Sequence, residues 1–241
     1  MKRLYYDLHT HSCLSPCADN DNTPNNLLGM AHLSGLDVLA LTDHNTAKNC
    51  PAFFAAAKNY GIIPIAGMEL TTSEDIHIVF LFYELCDALE FDEYVEKRRI
   101  LIKNRPDIFG EQLILDKDDN VIGTDEFLLS NATDISVEDV KSLAEEFGAV
   151  CYPAHVDREA NGIISILGTL PPTPRFNTLE FHNSEKIEEY KKRYGIPDGT
   201  VIVVDSDSHY LTDMRDKENY LEISESEDES EIRKRFLDLL R

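Results

Sequence analysis

Short apolar runs of strand length recur along this chain with helically spaced segments between them, so the backbone has to alternate β and α elements. RLYYDLH reads as the first strand. TPNNLLGMAHLSG follows as a helix with Thr23 as N-cap, Pro24 in the first turn and Gly35 as stop signal. DVLALTDH and NCPAFFAAAKNYG repeat the strand-helix pattern, and IIPIAGMEL and DIHIVFLFYE are two further strands joined by a short polar turn. A helix is predicted through ALEFDEYVEKRRILIKN, residues 88–104. GEQLILDKDDNVIGTDEF then interrupts the alternation as a hairpin turning at Asp118, Asp119 and Asn120, so about 105–135 reads as an insertion. Order resumes with a helix from Ser136 to Phe147 and the strand AVCYPAH. The Pro-rich loop LPPTPR, the strand TLEFHN, a charged helix, the strand VIVVDSDSH and a last helix, ESEIRKRFLDLL, complete the chain. Roughly seven core strands result, which predicts one mostly parallel α/β domain over 1–241.

No apolar stretch reaches the roughly 18 residues of a membrane span, and MKRLYYDLHTH lacks a secretory apolar core, so no membrane association and a cytoplasmic location are expected. Five cysteines, an odd number, read as free thiols; Cys13 and Cys17 in SCLSPC fall short of a structural zinc site without a second pair. A net charge of −22 repels nucleic-acid backbones and anionic membranes, which makes long nucleic acid an unfavoured partner. A small anionic substrate stays compatible, because bound divalent cations invert the sign of a local site. The sequence does not specify an oligomeric state.

His9 and His11 form H-x-H at the end of the first strand, where side chains two apart share a face. Alone this is weak, since chance supplies roughly 0.27 such pairs in a chain with this histidine content. The pattern recurs, however. Asp43 and His44 end the second strand, Glu69 the third, His77 lies in the adjoining strand, His155 closes VCYPAH, and Asp207 and His209 follow VIVV. Six of the eight histidines thus sit at or beside strand ends, the face of a β/α barrel that builds active sites. A single histidine there is usually a hydrogen-bonded packing residue. Six with carboxylates make a metal site the better reading, since divalent ions take neutral imidazole and ionised carboxylate together. His32 and His182 read as structural.

With DLHTH, LTDH, GMEL and the following His77, PAH and SDSH in this order, the chain resembles the PHP (polymerase and histidinol phosphatase) family of metal-dependent phosphoesterases. The resemblance spans residues 7–209. It implies a distorted (β/α)7 barrel with two or three divalent ions, manganese, zinc or iron. By position it assigns His9, His11, Glu69 and Asp207 to one ion, and Glu69, His77 and His155 to a second. His44 and His209 would hold a third, which many relatives complete with Asp in an S-D-G segment. Here that segment reads SPCAD, with Pro16 in the expected place and Asp19 as the nearest carboxylate. Asp43 reads as the support that orients an imidazole, because metal-bound histidines donate their other N–H to an oxygen.

Arg158, in PAHVDR, stands where such relatives place an arginine against phosphate, and its planar fork suits two phosphate oxygens. Lys48, Arg98, Arg99 and Arg175 are further cations that nothing in the sequence separates from surface charge. The expected chemistry is hydrolysis of a small phosphorylated substrate, such as a nucleotide phosphomonoester, by metal-activated water. Two other readings stay open: an amidohydrolase-type metal hydrolase, which also opens with H-x-H, and a metal- or nucleotide-sensing module without turnover. The insertion and the Pro-rich loop are expected to shape substrate choice.

Overall fold

The computed structural model describes residues 1–241. Its elements run β1 (Lys2–Asp7), α1 (Pro24–Leu33), β2 (Val38–Leu41), α2 (Cys50–Ala57), β3 (Ile63–Thr71), β4 (His77–Phe82), α3 (Leu85–Glu96), α4 (Pro106–Phe109), β5 (Leu113–Leu115), β6 (Val121–Thr124) and α5 (Val140–Glu146). They continue with β7 (Ala149–Pro153), α6 (Ile163–Leu167), β8 (Thr178–Phe181), α7 (Ile187–Tyr194), β9 (Val201–Val204), β10 (Tyr220–Ile223) and α8 (Glu229–Asp238). No helix is long and apolar enough to cross a membrane.

Six strands form one curled sheet in the order β10-β1-β2-β3-β4-β7, and β8 and β9 form a parallel pair. That pair fills the arc between β7 and β1: Val156 N–H donates to Glu180 O at 2.9 Å, and Thr10 bridges Ser208. Seven strands, β1 to β4 with β7 to β9, thereby surround a common interior as a distorted barrel. β4 runs against its neighbours β3 and β7, which sets His77 opposite Thr71. A residue at the beginning of β4 therefore lies at the same end as the C-termini of the other strands.

Alternating side chains face opposite sides of a strand, and here both sides are covered, which is why the strands read as unbroken apolar runs. Val38, Ile65, Val79, Leu81 and Tyr152 belong to the interior cluster, whereas Leu39, Leu41, Met68, Phe80 and Phe82 pack among the helices. Glu69 pairs across from Val79 and so shares the inner face with Ile65. Gly67 between them is required sterically, because a Cβ there would lie 2.7 Å from Thr42 Cγ2 and 2.8 Å from Phe80 O.

The first helix starts and stops as its caps dictate: Thr23 accepts from Asn26 N–H, Pro24 opens the first turn, and Gly35 takes φ +74°. The helix expected through residues 88–104 instead ends at Glu96. Beyond it the chain is drawn out into bridges of Arg99 with Thr133 and Lys103 with Phe127, because Arg99 turns inward to a two-pronged pair with Asp125 at 3.0 and 2.8 Å. The excursion then carries α4 and the hairpin β5–β6. Neither β10 nor α6 was among the elements expected from the sequence; β10 pairs antiparallel to the start of β1 as an added edge strand.

The side chains of Arg99 and Asp125 are 4% and 5% exposed, with Lys48 Nζ a further 3.0 Å contact of Asp125. Burial alone would raise the Asp125 carboxyl, but the hydrogen bonds and charge of Arg99 outweigh it and hold the group down at about 2. A depressed carboxylate lends stability above its ordinary value and loses it as pH falls through the folded value. Asp125→Ala, which strands the Arg99 charge, is expected to cost about 3 to 5 kcal/mol in thermal or denaturant unfolding near neutral pH, whereas replacing both partners with apolar residues recovers most of it. The gap between Asp125→Ala and the parent chain should narrow as pH falls from about 4 toward about 2. Equal stability of the two chains at pH 7 rules out a structural role for the pair.

Candidate metal centre

Every strand of the barrel delivers a polar side chain to one end of the interior. His9 and His11 follow β1, Asp43 and His44 follow β2, Glu69 lies in β3, His77 begins the reversed β4, His155 follows β7, His182 follows β8, and Asp207 and His209 follow β9. His155 and Asp207 take φ +27° and +50°, a region that non-glycine residues enter at a cost. At both positions the strand is turned sharply just as it reaches the centre.

Glu69 is the hub. Its Oε1 lies 2.7 Å from His77 Nδ1, 3.2 Å from His9 Nε2 and 3.2 Å from His155 Nε2. Its Oε2 lies 2.8 Å from His44 Nδ1 and 3.4 Å from His11 Nε2. Asp207 Oδ1 adds contacts of 3.4 Å to His9 and 3.1 Å to His11. Three sets of donors within 4.8 Å of one another result: His9, His11, Glu69 and Asp207; His44, Glu69 and His77; and His11, His44 and His209. His44 thus joins the Glu69–His77 set, and His155 touches Glu69 beside it.

The manner of approach matters as much as the distance. Glu69 Oε2 and the Nδ1 atoms of His44 and His77 are buried and have no aligned hydrogen-bond partner, although N and O lie under 3 Å apart. His9 Nε2 and His11 Nε2 face each other at 3.2 Å. Donor atoms that converge on a common point instead of on each other fit a cation between them.

Behind the donors, oxygens fix the rings. His9 Nδ1 is 3.0 Å from both Glu180 oxygens, and a carboxylate can only accept, so Nδ1 carries the proton and Nε2 points inward. His209 Nδ1 lies 2.9 Å from Asp207 O. Ser15 Oγ donates to Asp43 Oδ1 at 2.7 Å and is thereby left to accept from His11 Nδ1 at 3.0 Å and from His44 N–H at 3.2 Å. Asp43 also accepts from Ser12 N–H and Ser12 Oγ, at 2.8 and 2.6 Å. It does not bond the His44 ring; it braces the loop that aims His11. Glu180 had no signal in the sequence beyond its place at the end of TLEF.

Electrostatics follow from burial. Desolvation opposes the charge on Glu69, but His77, His9 and His44 outweigh it and hold the carboxyl well below its usual range. Burial likewise opposes charge on His9 and His44, yet Glu180 and Glu69 around the one, and Cys17 and Glu69 around the other, keep both rings well above the ordinary imidazole value. His77 goes the other way: burial pushes it down to about 4 despite Glu69. Two buried carboxylates in this setting demand positive charge, as protons on the imidazoles or as divalent cations in their place.

Asp19 is not brought to the centre. It is exposed, its Oδ1 accepts from Asp21 N–H at 2.8 Å, and only its own N–H reaches the region, donating to His209 O at 2.9 Å. Cys17 of the same loop is exposed, and against the opposing effect of burial the nearby His44 and His209 rings hold its thiol down at about 5. Cys13 points elsewhere, toward Leu113 O at 3.9 Å.

Arg158 stands at the mouth, bonded to Asp207 Oδ2 and, at 3.1 Å, to His182 Nδ1. Two adjoining spaces meet there. One, of about 160 Å³, is lined by His44, Glu69, His77, His155 and Asn161; the other, of about 460 Å³, by His182, Ser206, Asp213 and Arg215, and Arg158, Asp207 and His209 border both. Lys48 and Arg99 are committed to Asp125 and Arg98 to Asp134. Arg175 and the Pro-rich loop line a separate recess with Phe176 and Ile196.

Over 103 residues the chain is 40% identical to the 5'-3' exoribonuclease of Haemophilus influenzae, an overlap of 42% of this chain and 34% of that one. Over 77 residues it is 38% identical to the error-prone DNA polymerase of Symbiobacterium thermophilum, 32% of this chain and 7% of that one. The matches therefore span about a third or less of these relatives. In fold, it is similar to endonuclease Q of Pyrococcus furiosus (TM-score 0.65, 19% identity, 97% of this chain and 55% of that one). It is also similar to an amidohydrolase of Chromobacterium violaceum (0.57, 17%, 91% and 92%) and to a putative metal-dependent phosphoesterase of Bifidobacterium adolescentis (0.52, 16%, 85% and 87%). Residues 7–123 match the family model of the PHP domain, and the donor cluster is assembled in that family's motif order.

Proposed function

We propose that residues 1–241 act as one barrel domain that hydrolyses a phosphate ester at the Glu69 centre, with His9, His11, His44, His77, His155, Asp207 and His209 as the remaining ligands. The observation that carries this reading is the approach of five imidazoles to one buried carboxylate, with three donor sets sharing members. Divalent cations held there would supply Lewis-acid activation of water and neutralise charge on the phosphate oxygens.

The chain's own groups do the rest. Arg158, tethered by Asp207 and His182, presents its remaining donors to a phosphate at the junction of the two spaces. His182 is kept neutral near pH 7, since burial and the charges of Arg158 and Arg215 lower its affinity for a proton; it orients Arg158 by accepting, and is no proton donor to the leaving group. No apolar side chain lines the larger space, which suits a polar leaving group such as a sugar and disfavours an aryl one. A nucleotide or other sugar phosphate fits that description.

A second reading has its own support. The similarity to an exoribonuclease at 40% identity and the fold of endonuclease Q favour a phosphodiester in nucleic acid, which loosens the expectation drawn from net charge. Against it stand the charge of −22 and the presence of only Arg158 and Arg215 as cations at the mouth.

Two measurements follow. Metal analysis of the purified protein should find two or three divalent ions per chain, with Glu69→Gln losing more metal than most single histidine variants, because it serves two donor sets where His9, His77 and His209 each serve one; unchanged metal in Glu69→Gln defeats the hub role. A panel of nucleotides, sugar phosphates, aryl phosphates and short oligonucleotides, assayed with manganese, zinc and iron separately, should show release of phosphate from a sugar or nucleotide monoester. Arg158→Ala should lower kcat/KM by roughly ten- to a hundredfold with metal content retained. Cleavage of oligonucleotides alone selects the second reading, and binding without turnover under all three metals selects a sensing module.

A further inference from the structure

The parallel ladder of β8 and β9 ends at the pair Phe181 and Val204, where β9 gives way to the turn that holds Asp207 at φ +50°. His182 O and Asp205 O lie past that end, and no backbone N–H donates to either. A guanidinium takes them instead. Arg215 Nε donates to Asp205 O at 3.1 Å and its Nη2 to His182 O, so one planar fork spans the two strands where their ladder stops. The other side of the His182 backbone is held as firmly: the buried carboxylate of Asp157 accepts from His182 N–H at 2.7 Å and from Asn183 N–H at 3.0 Å. A residue gripped at both its N–H and its C=O leaves the ring little freedom, and that ring is what Arg158 Nη2 meets, 3.1 Å from Nδ1. The Arg158 side chain is 36% exposed, and its other partner, Asp207, is a donor of the metal centre. His182 is therefore the one side-chain contact of Arg158 that a cation does not also claim.

We propose that Arg215 is a positioning residue for phosphate recognition: with Asp157 it fixes His182, and through His182 it sets where Arg158 points. The proposal rests on the reading of Arg158 as the phosphate clamp and adds the residues that aim it. Both hydrogen bonds of Arg215 go to neutral main-chain carbonyls, so its place is set by the fold of two strand ends and not by a mobile carboxylate. Arginine suits this task because its donors leave a rigid plane in fixed directions, whereas a lysine ammonium is a point charge on a flexible stem. The consequence for binding is entropic. A long side chain ordered before phosphate arrives loses less conformational freedom when it binds, and an Arg158 released from His182 would have to be ordered by the phosphate itself.

Because the same fork also ties β8 to β9, the experiment has to separate aim from stability. Inorganic phosphate is the probe, with its affinity for the metal-containing protein measured by calorimetry at pH 7 and the metal content of each variant checked. Arg215→Ala is expected to weaken phosphate binding about five- to tenfold with metal retained, and His182→Ala to weaken it by as much; the two together should weaken it less than about twofold beyond His182→Ala alone. Millimolar guanidinium should restore most of the loss in Arg215→Ala and none of it in the double variant, whereas a merely structural tie would be restored in both. Should Arg215→Ala fail to fold, Arg215→Lys, which reaches one carbonyl without bridging two, is expected to lose about threefold, again only while the His182 ring is present. Unchanged phosphate affinity in the folded Arg215 variant, or a loss that persists in full in the His182→Ala background, overturns the proposal and leaves the Arg158 clamp standing. No phosphate binding by the unmutated, metal-containing protein overturns the phosphate reading and this proposal with it.

Discussion

A fully buried carboxylate surrounded by imidazoles is the constraint around which this barrel is arranged. Glu69 has a side chain 1% exposed and cannot keep its charge in that position without positive partners. Five histidines supply contacts from four different segments, so the chain ends of β1, β2, β4 and β7 have to meet β3 at one point. That requirement explains the departure from a regular parallel barrel. Reversing β4 puts His77 directly across the end of β3, where a parallel strand would have delivered its far end. It also explains the left-handed backbone at His155 and Asp207, where rigid neighbours over-determine a conformation that neither residue prefers.

Beneath the donors lies a second buried acidic group. Asp7, Glu180 and Asp205 are all fully buried, and burial together with the charges of Glu180 and Asp7 pushes Asp205 well above the usual carboxylate range; burial also raises Asp7. These groups use backbone donors to limit the cost: Leu8 N–H to Asp205 Oδ1 at 2.7 Å and Ser206 N–H to Asp7 Oδ1 at 3.1 Å. Those two bonds also tie β1 to β9, where no continuous ladder exists. The seam of the barrel is therefore closed by carboxylates, and one of the three, Glu180, fixes the tautomer of His9. Closure of the fold and orientation of a ligand rest on the same few residues.

Much of this was legible in the sequence because strand periodicity and motif order point the same way. The alternating face pattern places HTH, TDH, MEL, PAH and SDSH at strand ends, and those residues do converge. What was not legible depended on contacts between distant segments. Glu180 looks like an ordinary acidic residue in TLEF until the barrel sets it 3.0 Å from His9. Asp43 sits next to His44 in sequence, which invites a local role, but its acceptors are taken by Ser12 and Ser15. Asp19 was chosen as the nearest carboxylate by chain distance, whereas the turn at Ser15–Ala18 directs it outward, where it accepts from Asp21 N–H. The overlong helix at 88–104 failed for the same reason: propensity favoured continuation, and the buried pair of Arg99 with Asp125 prevailed.

The insertion enters this scheme through the ligand loop and not through the cavity. Neither α4 nor the β5–β6 hairpin lines the spaces beside Glu69 and Arg158. Instead, Leu113 N–H donates to Cys13 O at 3.0 Å, Asn49 links Ser12 Oγ at 2.9 Å to Leu113 O at 3.1 Å, and the left-handed Gly110, at φ +95°, lies against Pro16 O. Asp119, at the hairpin turn, accepts from Thr23 at 2.5 Å and from Asn25, at the start of α1. The loop between β1 and α1 is thereby held from outside by the insertion and from inside by Asp43. A loop held on both faces has few conformations left, and low conformational freedom is what lets a short segment present His11 at a fixed position. On this account the excursion after α3 serves the centre by restraining the segment that feeds it, and an exchange of its sequence acts on the ligands before it acts on the substrate.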